Sequence, residues 1–129
     1  MEMITMKDQI VSFKTAILAD EKGLNLIWKN DLYTDDGVQH PYMAHWLCGY
    51  SKMYNAPTQS ILQKWLREIH KIEIDIRSVI AGYEYSIWKR SEQDEDFNWF
   101  DSSETYEDAL EKALVRGLNM IETIKTEKE

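Results

Sequence analysis

The chain predicts an α+β fold, a single domain over residues 1–129 in which helices pack on one face of an antiparallel sheet. Three observations predict it. "APTQSILQKWLREIHKIEIDI", residues 56–76, changes from helical to alternating apolar spacing at Ile72. "YEYSIWKR" and "FNWF" then continue as alternating or short apolar segments, and "TYEDALEKALVRGLNMIETI" returns to helical spacing. At 129 residues with 43% hydrophobic and 29% charged side chains, the chain has the composition of a globular domain able to bury a core without disulfide or metal.

In "ITMKDQIVSFKTAILADEKGLN", Ile10, Phe13, Ile17 and Leu18 recur at helical spacing, Thr5 followed by Asp8 offers an N-terminal cap, and Gly23 a stop. Residues 24–57 are harder to read. Asp36-Gly37 is a tight-turn pair between two short candidate strands, which suggests a hairpin, and "MAHWLCGYSKMY" has no clean period.

Pro57 keeps Ala56 extended, and Thr58 caps a helix beginning at Gln59. Ile61, Leu62, Trp65, Leu66 and Ile69 form its apolar stripe, with Lys64, Arg67, Glu68 and Lys71 toward solvent. From Ile72, the residues Ile72, Ile74 and Ile76 alternate with Glu73, Asp75 and Arg77, the pattern of a half-buried strand. Ala81-Gly82 turns the chain. Tyr83, Tyr85 and Ile87 then alternate with Glu84, Ser86 and Trp88, the acidic "SEQDED" is a loop, and "FNWF" is a third strand. Thr105 caps the last helix, whose buried face is Tyr106, Ala109, Leu110, Ala113, Leu114, Gly117 and Ile121. The small residues Ala109, Ala113 and Gly117 would let it lie close on its neighbours, and "KTEKE" is expected to fray.

Charge is segregated. The net charge is −8, which disfavours nonspecific attraction to nucleic-acid phosphates. Residues 91–111 hold nine acids and no base, Asp94, Glu95 and Asp96 among them, whereas residues 52–90 hold seven bases against four acids. One cysteine, Cys48, fits a reducing compartment. No apolar run approaches the roughly 20 residues of a membrane span, and "MEMITMKDQIVSF" has no signal-type core, so a cytoplasmic location without membrane contact is expected.

No chemical motif is complete. His40, His45 and Cys48 give three potential ligands, where a structural zinc usually takes four and a catalytic one three plus water, and no Cys-x-x-Cys or paired histidine motif supplies the rest, so no metal or cofactor is implied. His70 sits at a helix end, where a cationic ring suits the dipole. Cys48 with His45 carries no nucleophile motif, and glycines at 23, 37, 49, 82 and 117 form no phosphate loop. No catalytic residue is assigned and a non-enzyme is favoured, with a site assembled from distant residues left open.

The order helix, three strands, helix is shared with double-stranded RNA-binding domains, whose second helix would open on phosphate-gripping lysines. Here that helix opens "TYEDALEK", which is acidic. The strand followed by T-x-E-D-A-L-x-x-A is loosely similar to HicB-type antitoxin domains, without the surrounding motif. "SFKTAILADEKGLN", "APTQSILQKWLREIHKIEIDI" and "TYEDALEKALVRGLNMI" resemble small uncharacterised proteins of phages, prophages and other mobile elements of gut bacteria. That resemblance implies a mobile-element origin and an α+β fold, and no activity.

Three modes of action follow. The first is an accessory protein that binds another protein, or itself, with Trp28, Trp46, Trp88 and Trp99 as exposed aromatic candidates. The second is nucleic-acid binding through a weak basic face of Lys64, Arg67 and Lys71, joined by Lys89 and Arg90. The third is mimicry of nucleic acid by the acidic 91–111 region.

Overall fold

The computed structural model describes residues 9–24, 31–34, 36–40, 53–90 and 99–121. Helix α1 (Phe13–Glu21) precedes β1 (Asp31–Thr34), β2 (Gln39–His40) and β3 (Met53–Ala56). Helix α2 (Gln59–His70), β4 (Ile72–Val79), β5 (Gly82–Lys89), β6 (Phe100–Ser103) and α3 (Tyr106–Asn119) follow. The strands form two antiparallel three-stranded sheets, ordered β2-β1-β3 and β4-β5-β6.

The expected helix over residues 5–22 begins later, at Phe13. Ser12 is its cap, accepting the Thr15 N–H, while Ile10 is paired in extended form with Thr58. Val11 N–H donates to the Pro57 carbonyl at 3.0 Å and Gln59 N–H to the Gln9 carbonyl at 2.8 Å, bonds that hold Gln9–Val11 extended against the start of α2. Thr5 and Asp8 lie outside the described residues. Gly23, at φ +102°, ends the helix as its position suggested.

The Asp36-Gly37 hairpin is present, and β3 adds a strand that the sequence left undecided. Asp31–Thr34 pair with Ala56–Met53 on one side, and Leu32 and Tyr33 pair with His40 and Gln39 on the other. Thr34 Oγ1 donates to Asp36 Oδ1 inside the turn, and this bond holds the Asp36 carboxyl below its ordinary pKa. Phe13 sets its ring edge-on to Tyr33 and Tyr54, with centroids 5.2 and 5.9 Å apart, so α1 is docked on this sheet through aromatic contacts.

Within residues 56–79 the helix starts at Gln59 and the strand at Ile72, as the sequence directs. Thr58 caps α2 by accepting the Ile61 N–H, and Lys71 ends it in the left-handed conformation, φ 61°, before Ile72 opens β4. A left-handed lysine costs on the order of 1 kcal/mol, offset by the immediate docking of Ile72 and Ile74 beneath the helix. Helices α2 and α3 cover the Ile72, Ile74, Tyr85 and Ile87 face of the second sheet. Leu62, Leu66, Leu114 and Leu118 are completely buried, each contributing about 1.5–3 kcal/mol of hydrophobic stabilisation. At Gly117 a Cβ would stand 3.1 Å from both Leu66 and Ile87, so this glycine permits the close helix approach anticipated from the small-residue spacing.

Four expectations need correction. The third strand is Phe100–Ser103, which includes the last residue of "FNWF" but not Trp99 and runs on to Ser103, where Tyr83 and Tyr85 pair with Ser103 and Phe100 across an irregular register; Phe97 and Asn98 lie outside the described residues. Tyr106 is 43% exposed at the first turn of α3, set edge-on to Tyr83 at 5.9 Å rather than buried. The two-residue loop of the β4–β5 hairpin is Ile80-Ala81, and Gly82 already belongs to β5. Finally, the stripe of α2 is only partly buried: Ile61 and Ile69 are 41% and 61% exposed.

Candidate interaction surface

Buried Gln59 claims one flank of α2, donating to the Glu107 carbonyl at 3.0 Å and to Glu111 Oε1 at 2.8 Å on α3. Leu62 and Leu66 face the core beside it. At about 100° per residue, Ile61 and Trp65 turn toward the opposite flank, and Ile69, about 20° in azimuth from Leu62 but exposed in the last turn, completes a row spaced by four. Trp65 is half-buried, its ring 4.7 Å from the His70 imidazole, and the two isoleucines on either side of it project outward. Exposed Lys64 and Glu68 run beside this row, each one residue before Trp65 and Ile69. The result is an apolar ridge on α2 edged by one cation and one anion.

The basic face takes a different form from a run of free cations. Arg67 Nε stands 3.4 Å from Glu68 Oε2, and Arg90 Nε stands 3.0 Å from Glu73 Oε2. Lys71 Nζ donates to the Glu68 carbonyl at 3.2 Å, and Arg90 N–H donates to the Lys71 carbonyl at 2.7 Å. Arg67, Lys71 and Arg90 thus meet at the α2–β4 junction with two carboxylates interleaved. Burial and the Lys89 charge lower the His70 pKa, so desolvation overrides the helix dipole that was expected to favour its cation.

Trp88 and Trp99, the described tryptophan candidates, are half-buried, and Trp99 lies beneath the Arg77 guanidinium at 4.2 Å. Arg77 also pairs with Glu84 at 2.8 Å, and Ser86, beside them on the strand, is fully buried. Trp99 is thus engaged by Arg77 of β4. Trp28, Trp46, His45, Cys48, Asp94, Glu95 and Asp96 lie outside the described residues. His40 is a β2 residue with Nε2 3.5 Å from Thr34 Oγ1, and no metal-holding group of three His, Cys, Asp or Glu occurs among the described residues.

A shallow cavity of about 560 Å³, broadly open to solvent, lies between α1 and α3, lined by Lys14, Thr15, Glu111, Lys112 and Arg116 among others. Its volume is in the range of small-molecule pockets. Glu111 is its hub: Oε2 accepts from Ser12 N–H at 2.9 Å and from Thr15 Oγ1 at 2.6 Å, while Oε1 holds Gln59. With both oxygens engaged, this carboxylate ties three helices together. Nearby, Tyr33 donates to the Val11 carbonyl at 2.7 Å, and burial, then the charges of Glu111 and Asp31, raise its pKa.

No family model matches the chain, and no curated protein or solved structure gives a significant match. In the sequence the ridge is hidden within the single apolar stripe of α2, all of which reads as core-facing. Its signal was the width of the arc: Ile61 and Leu66 stand about 140° apart, more than a helix buries when a neighbour such as α3 already occupies one flank. No helix among the described residues is long and apolar enough to cross a membrane.

Proposed function

We propose that this chain is a non-enzymatic accessory protein of the cytoplasm, of phage or mobile-element origin, that acts by binding another protein chain through the outer ridge of α2. One observation carries the mode of action: Ile61 and Ile69 are 41% and 61% exposed on either side of Trp65, in one row on a well-capped helix. An aromatic anchor between aliphatic neighbours, on a rigid element with a charged rim, has the chemistry of an interface centre. The origin rests on the resemblance of the three sequence segments, and the location on the single cysteine.

The basic-face reading has less support, because Arg67 and Arg90 already face Glu68 and Glu73, and interleaved carboxylates weaken a phosphate track. The acidic-mimic reading draws on Glu107 and Asp108, which stand exposed on the first turn of α3 and add favourable charge there. In-cell photo-crosslinking tests the ridge. A benzophenone amino acid at position 69 is expected to give a discrete protein adduct, while the same group at Ile80, fully exposed on the β4–β5 hairpin, gives none. Equal labelling from both positions, or no adduct from position 69, counts against the proposal.

A further inference from the structure

We infer that the partner seated on the α2 ridge is a second copy of this chain, crossing it antiparallel about a two-fold axis near Trp65. The inference rests on the reading of the ridge as an interaction surface and adds the identity of its occupant. The row Ile61–Trp65–Ile69 is symmetric about its centre. Reversed on itself it sets Trp65 against Trp65 and Ile61 against Ile69 of the other copy, so the same apolar pattern serves both sides, as an isologous contact requires.

The charges select this arrangement. Lys64 and Glu68 lie on the same flank of the row, and in an antiparallel two-fold pair that flank faces its own copy. With the axis about one residue beyond Trp65, Lys64 of each chain stands level with Glu68 of the other, giving two equivalent opposite-charge contacts, while the two copies of Lys64 are offset by about 6 Å along the helices. A parallel two-fold pair would instead carry the two copies of this flank to opposite sides of the seam, where Lys64 and Glu68 do not meet each other. Lys64 and Glu68 are both exposed, and the Glu68 side chain retains 58% of its accessible surface while standing 3.4 Å from Arg67, so it can reach outward. A helix of 12 residues offers a small contact, so the dimer is expected to be weak, with a dissociation constant of about 10–100 μM.

Sedimentation equilibrium of the full chain, the variants Lys64→Glu and Glu68→Lys, and the double exchange tests this. Each single reversal is expected to weaken the dimer about tenfold by turning two attractive contacts into two repulsive ones, and the double exchange to restore it to within about threefold. Ile69→Lys, at an exposed position, is expected to give monomer with unchanged thermal stability. A chain that stays monomeric at several hundred micromolar, or single and double variants with equal affinity, overturns the second-copy inference. If position 69 still crosslinks a different protein in that case, the ridge remains an interface and only its occupant was wrong. If it crosslinks nothing, both readings fall.

Discussion

Gly82→Ala should be among the most damaging single-methyl additions to this fold, and Gly23→Ala isolates the reason. Both glycines have positive φ, +143° and +102°, where an L side chain costs about 1–3 kcal/mol. At Gly23 a Cβ meets nothing within 4 Å, so only that conformational term applies. At Gly82 the Cβ would stand 2.1 Å from the Ser103 carbonyl oxygen, whereas carbon–oxygen contacts settle at about 3.3 Å. The backbone of β6 must therefore retreat by about 1.2 Å at its pairing with Tyr83, beside the existing irregularity in the β5–β6 register. Weakening one or two ladder hydrogen bonds adds about 1–3 kcal/mol. The expected losses are thus about 2–6 kcal/mol for Gly82→Ala against about 1–3 for Gly23→Ala, with Gly82→Ala the larger by about 1–3. Urea unfolding followed by circular dichroism measures both. Equal losses at the two positions would refute the claim that β6 packs directly against the Gly82 backbone.

Leu66→Ala removes a completely buried side chain beneath α3 and should cost about 3–5 kcal/mol by the same unfolding measurement, with Ile69→Ala on the exposed ridge costing under about 1. Glu111→Ala strips acceptors from Ser12 N–H, Thr15 Oγ1 and the buried Gln59 amide. A loss of about 2–4 kcal/mol is expected, with faster amide exchange at the start of α1. The His70 pKa is lowered on folding, so the unfolded chain binds the proton first, and its contribution to stability falls as pH drops below about 6.5. His70→Gln should flatten the stability profile just below about pH 6.5, leaving the contribution of Asp36, whose pKa is also lowered, to appear below about pH 4.

The legible parts of the fold were those specified by local chemistry. Thr58 and Thr105 mark helix starts by their ability to accept an N–H three residues on, and Ile72–Ile76 mark a strand by alternation alone. The start of α1 was misread because Ile10 matches a helical period, yet its pairing with Thr58, 48 residues distant, draws it into extended structure. Likewise, β3 has no period of its own and exists because Asp31–Thr34 offer an edge to pair with. The candidate site was legible in part. Lys64 was named from its polar position, whereas the outward turn of Ile61 and Ile69 depends on Gln59 docking against α3, a contact between residues about 50 positions apart.

A dilution series of amide nuclear magnetic resonance spectra tests the central claim most directly, since it locates the contact residue by residue. Between about 20 and 500 μM, concentration-dependent shifts are expected at Ile61, Lys64, Trp65, Glu68 and Ile69, centred on Trp65, with Lys14, Lys112 and Arg116 at the α1–α3 cavity unchanged. Shifts confined to the cavity residues, or a ridge that does not respond across that range, would contradict it.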